Sequence, residues 1–70
     1  MPVTLFEDNT LLEGVVDLAF EESGTWTVVD FKTDEELETH LDKYRRQVGL
    51  YARAITLATG QPAKAVLISL

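Results

Sequence analysis

The stretch LLEGVVDLAFEE at 11–22, followed by Ser23-Gly24 and TWTVVDFKT at 25–33, decides how this chain folds. Both arms have strand composition, and the ESGT between them is a turn signal. If Ser23-Gly24 is a tight hairpin loop, residues whose numbers sum to 47 face one another, and Asp17 falls opposite Asp30. Directly opposed residues share a face of the sheet with Cβ atoms about 4.5–5.5 Å apart. Lys32, two residues beyond Asp30, shares that face because strand side chains repeat every second residue. Two carboxylates and one ammonium are therefore expected on a single patch.

Opposed like charges destabilise a hairpin unless something compensates them. A divalent cation is the simplest compensation. Magnesium prefers carboxylate oxygen, retains several waters, and can activate one of them while stabilising charge on a phosphate. Lys32 would then orient that water or neutralise developing charge. The other reading is an ordinary solvated hairpin whose acids are kept apart by water, with Lys32 pairing with either.

Outward from the hairpin, VTLFE at 3–7 predicts a short strand, with Asp8-Asn9-Thr10 as the turn into the next. In the first long arm Leu12, Gly14, Val16, Leu18 and Phe20 form the expected core face, and Asp17 and Ala19 lie on the more polar one. The second arm carries apolar residues on both sides, which predicts a central strand. Thr33 with Glu36 makes a capping box, and Thr39 with Asp42 is an equally legal start. Leu37, Leu41, Tyr44, Val48, Tyr51, Ile55 and Ala58 then define one helical stripe, closed by Gly60 and Pro62. Gly49 within that helix suggests close packing against the sheet. AKAVLISL at 63–70 reads as a buried strand parallel to the second arm, reached by a right-handed crossover.

The predicted class is α+β, with βββαβ topology around a four-stranded mixed sheet and one long crossover helix. One helix covers one face. With Trp26 and Val28 assigned to the other, the expectation is an isolated chain that forms a homodimer through that face.

Seventy residues make one small domain, and a chain this short buries only about 60% of its unfolded surface. The hydrophobic share of 46% excludes intrinsic disorder, and the lack of cysteine excludes disulfides and thiolate metal sites. A reducing, cytoplasmic setting is compatible with that composition. There is no apolar run long enough for a membrane span and no secretory signal pattern. The net charge of −6 conceals a division: all 12 acidic residues lie within 1–42, and 43–70 carries five bases and no acid. Such a division suits an acidic patch that holds metal beside a helix that faces phosphate, and equally a plain dipolar domain.

The ordered set Gly14-x-x-Asp17, Asp30-Phe31-Lys32-Thr33 and Tyr44-Arg45-Arg46-Gln47-x-x-x-Tyr51 resembles the RecB-type nuclease domain of the PD-(D/E)XK superfamily. It is especially similar to the C-terminal nuclease of AddA-type helicase–nucleases, over nearly the whole chain. The resemblance implies a restriction-endonuclease-like core and Mg²⁺- or Mn²⁺-dependent hydrolysis of DNA, exonucleolytic in character, in end processing and recombinational repair. It implies Asp17, Asp30 and the Phe31 backbone carbonyl as metal ligands and Lys32 as the residue that positions the attacking water. Gln47 and Tyr51 would sit beside the site and help place DNA, Arg45 and Arg46 would contact phosphate, and Gly14 would permit a close backbone approach. The bland alternatives are core packing for Tyr44 and Tyr51 and solvated helix charge for Arg45, Arg46 and Arg53. Family members carry a further ligand on a helix before the first strand, which the chain lacks. Residues 1–70 are therefore expected to be a truncated nuclease domain, weak or inactive alone, whose partners are DNA and a helicase portion. The alternative is a catalytically silent module that binds DNA or a helicase.

Overall fold

A computed structural model describes all residues, 1–70. The chain forms β1 (Pro2–Glu7), β2 (Thr10–Val15), β3 (Leu18–Glu22), β4 (Thr25–Lys32), α1 (Asp34–Thr59) and β5 (Ala63–Ser69). The class is α+β, as the sequence predicts. Strands β1 and β2 form an antiparallel hairpin, while β3, β4 and β5 form a mixed three-stranded sheet in that order.

The β3–β4 register is the expected one: Leu18 opposes Val29 and Glu22 opposes Thr25, so partners sum to 47. Ser23 and Gly24 both have positive φ, 53° and 82°, as a two-residue type I′ loop requires. Beyond the helix, β5 pairs with β4 in parallel, placing Ala65 beside Val28 and Ser69 beside Lys32.

The first arm differs from expectation in that it is two strands. Val16 extends the β1–β2 register by one pair, donating its N–H to the Met1 carbonyl at 2.8 Å and accepting from the Met1 nitrogen at 2.7 Å, and the chain bends at Asp17. Chain direction changes there, and with it the sense of inside and outside. Leu12, Gly14 and Val16 face inward as predicted, but beyond the bend Ala19 packs inward while Leu18 and Phe20 stay 46% and 42% exposed.

The assignment of sheet faces is also corrected. Trp26 and Val28 lie on the covered face: Val28 is fully buried, and Trp26 packs beside it against a cluster of Val3, Leu5, Val16, Tyr51, Ala54 and Ile55. The indole N–H donates to Gln61 Oε1 at 2.8 Å. Hairpin β1–β2 and helix α1 share this face, so two elements cover it where one was expected. The homodimer expected through Trp26 has no basis, because that face is used within the chain. Gly49 is corrected too, being exposed with nothing within 4 Å of where a Cβ would stand.

Helix α1 opens with the Thr33 capping box, in which the threonine hydroxyl accepts from Glu36 N–H and the Glu36 carboxylate accepts from Thr33 N–H, both at 3.1 Å. Its continuity is broken at His40, whose φ of −138° and ψ of 37° are not helical. It ends at Gly60 in the left-handed conformation. Ser69 hydrogen-bonds Asp34, tying the end of β5 to the first turn of the helix. No helix is long and apolar enough to cross a membrane.

Candidate active site

The bend that ends β2 and the last residues of β4 meet under the N-terminal half of α1. Asp17 stands on the bend, and the Phe31 N–H donates to its Oδ2 at 3.0 Å. This bond first, and then the neighbouring Asp30 carboxyl, hold the Asp17 pKa below its ordinary value. Asp30 is 5% exposed, and burial pushes its carboxyl up, against the lowering influence of Lys32. Lys32 Nζ lies 2.8 Å from Asp30 Oδ2, and the contact raises the ammonium pKa. The structure therefore brings Asp17, Asp30 and Lys32 together although the Asp17–Asp30 ladder pair never forms. The carboxylates meet because Asp17 turns back onto the β4 backbone.

The helix adds a second layer. Gln47 donates from Nε2 to the Tyr51 hydroxyl at 3.1 Å. Tyr51 is buried, and its ring occupies the space over Gly14, where a Cβ would lie 2.6 Å from two ring carbons. The close approach expected at Gly14 is thus made by the tyrosine. Buried in this way, Tyr51 presents no surface for DNA, and the Gln47–Tyr51 pair instead fixes α1 against the end of β2, just before Asp17. Tyr44, read from the sequence as part of the helical stripe, lies with its ring centroid 4.8 Å from Lys32 Nζ.

Arg45 and Arg46 are exposed and make no ion pair. Arg45 lines a hollow with Leu37, Leu41, Val48, Ala65 and Leu67, on the β5 side of the helix. Arg53 pairs with Glu7 of the first hairpin.

The family model described as the PD-(D/E)XK nuclease superfamily matches residues 2–70. The chain belongs to the PD-(D/E)XK nuclease superfamily. Curated relatives named as ATP-dependent helicase/nuclease subunits share 39% identity over 81% of the chain in Ruminiclostridium cellulolyticum and 41% over 81% in Acetivibrio thermocellus. A third, in Clostridium kluyveri, shares 33% over 91%. The chain spans about 5% of the length of each of these relatives. No solved structure matches it significantly.

Asp17, Asp30 and Lys32 lie where the end of the β2 bend meets the end of β4. Nowhere does the chain gather three or more His, Cys, Asp or Glu side chains into one cluster. Two carboxylates nevertheless suit magnesium or manganese, which bind through one or two such groups and keep water in the remaining positions. The pair carries two negative charges against a single ammonium when both acids are ionised, and Asp30 is buried. A cation relieves both costs, so the donor set fits the metal.

Proposed function

We propose that the chain is the nuclease module of a helicase–nuclease polypeptide and hydrolyses DNA phosphodiesters with the help of Mg²⁺ or Mn²⁺, in exonucleolytic end processing for recombinational repair. The observation that carries this reading is the convergence of Asp17, Asp30 and Lys32 on one patch, with Asp17 pinned by the Phe31 N–H.

Asp17 and Asp30 would hold the cation, with the Phe31 carbonyl as a further ligand. A divalent ion there supplies an acidified water and charge stabilisation on the phosphate. Lys32 would orient the attacking water and neutralise charge as it grows on the phosphoryl oxygens. One oxygen–phosphorus bond forms, the ester bond to the leaving oxygen breaks, and the water's proton passes through solvent to that oxygen. Gln47 and Tyr51 keep α1 seated on β2 and so hold the bend that carries Asp17. Arg45 and Arg46, free of ion pairs, are available to DNA phosphates.

The test is twofold. Millimolar manganese should raise the melting temperature of the chain by mass action, and Asp30→Asn should remove most of that gain. In the longer polypeptide, Lys32→Ala should abolish cleavage while leaving metal binding largely intact. Cleavage indifferent to both EDTA and Lys32→Ala would end this reading. The gathering of only two carboxylates favours a second reading, a catalytically silent module that binds DNA or a helicase, and an unchanged melting temperature with manganese would support it.

A further inference from the structure

Lys32 has two partners. Its Nζ contacts Asp30 Oδ2 on one side and, on the other, stands over the Tyr44 ring at 4.8 Å from the centroid. The lysine side chain is only 17% exposed, so both contacts are partly sheltered from water. Tyr44 is itself constrained: the His40 ring meets it edge-on, with centroids 6.3 Å apart and planes at 84°. Glu36, anchored in the Thr33 capping box, lies close enough for the charge of Lys32 and the hydroxyl of Tyr44 to act on its carboxyl. We infer that Tyr44 is a positioning residue for Lys32, its ring face holding the ammonium over the Asp17–Asp30 pair independently of the Asp30 carboxylate.

The inference rests on the nuclease reading above. An ammonium on a four-carbon stem is a mobile point charge, and a single ion pair leaves it much of its freedom. Any cation seated at Asp30 competes for the same oxygen and repels the ammonium. The carboxylate contact is therefore weakest when the lysine is needed. Attraction to the ring quadrupole has no such dependence, because it comes from α1 and not from the acid pair. If Tyr44 merely filled the gap between helix and sheet, a bulky aliphatic side chain would serve as well. An aromatic ring is required only if the face matters.

The experiment separates these cases. In the 70-residue chain, the Lys32 ε-methylene protons should show an upfield ring-current shift. Tyr44→Phe should retain it, Tyr44→Leu should abolish it, and saturating Mg²⁺ should leave it in place in the parent sequence. The Phe31 amide resonance, set by its bond to Asp17, reports whether each variant remains folded. In the longer polypeptide, Tyr44→Leu should lower kcat roughly three- to thirty-fold at unchanged KM and metal affinity, while Tyr44→Phe stays within about twofold. Absence of the ring-current shift in the unmodified chain overturns the inference whether or not Tyr44→Leu folds. Robust cleavage with kcat unchanged in Tyr44→Leu overturns it alone and leaves the nuclease reading standing. Absence of metal-dependent cleavage in the unmodified polypeptide overturns both.

Discussion

Gly14 and Gly49 show how two glycines of one small chain carry opposite consequences. A methyl at Gly14 would press into the Tyr51 ring, which is buried and tethered by Gln47 and has nowhere to retreat. Gly14→Ala should therefore destabilise the fold by about 1–3 kcal/mol, the cost of overpacking. At Gly49 the space is open and the backbone helical, so Gly49→Ala should stabilise by up to about 1 kcal/mol. Thermal unfolding of the two variants checks both signs, and equal shifts would contradict the packing. Glu36 provides a pH signature. Its carboxyl is held below its ordinary value of 4.5, first by the Thr33 backbone N–H and then by the Thr33 hydroxyl. A depressed folded-state pKa contributes stability that is present above the unfolded value and is lost as pH falls through the folded one. Glu36→Gln should accordingly lose less stability than the unmodified chain between about pH 5 and pH 3, as read by denaturant unfolding across that range.

At the scale of elements, what the sequence made legible was local. The 47-sum register follows from a two-residue loop, and the Thr33 and Gly60 caps follow from side-chain chemistry within a few residues. Since Ser23 adopts a left-handed φ of 53°, which asparagine tolerates better, Ser23→Asn should stabilise the hairpin by several tenths of a kcal/mol, up to about 1. A loss of stability on equilibrium unfolding would argue against the I′ loop. The split of the first arm was not legible, because its first half pairs with β1, as far as Val16 with Met1, while its second half pairs with β4, and no local pattern reports that change of partner. The apolar doublet Val15-Val16 breaks strict alternation beside the bend, but Leu11-Leu12 breaks it as well at the start of the arm, so the doublet does not mark the split. The choice between Thr33 and Thr39 as helix start was also beyond the pattern. Thr33 caps the helix, and the Thr39 hydroxyl bonds back to the Glu35 carbonyl at 2.7 Å, immediately before the distortion at His40. Of the site, Asp30 and Lys32 could be placed from strand periodicity, whereas Asp17 reaches them from the bend through its bond to the Phe31 N–H and not as a ladder partner. The packing of Tyr44 on Lys32 depends on how α1 crosses the sheet, which no local pattern encodes.

For the whole molecule, the sheet face is the decisive question, and β4 is ambiguous on this point because it is apolar on both sides. Leu18 and Phe20 made the wrong face look like core, since they continue the alternation of Leu12, Gly14 and Val16 across a bend the pattern does not register. In the structure, Trp26 and Val28 sit under β1 and α1, while on the opposite face Leu18, Phe20, Phe31, Val66 and Ile68 are each more than a third exposed around the buried Val29. The two faces predict different costs for the same chemical change. Trp26→Lys removes a ring packed against the core, breaks the indole bond to Gln61 and places a charge beside Val28, so a loss of about 3–5 kcal/mol or more is expected. Against a net stability of roughly 5 kcal/mol, the domain should be largely unfolded at room temperature. Phe20→Lys changes a residue already in contact with water, and should leave the unfolding free energy of the monomer within about 0.5 kcal/mol while reducing aggregation. Urea unfolding of both variants at low protein concentration, with light scattering at higher concentration, makes the comparison. A folded Trp26→Lys beside an unfolded Phe20→Lys would reverse the two faces, and with them the side of the sheet on which Asp30 and Lys32 meet the helix.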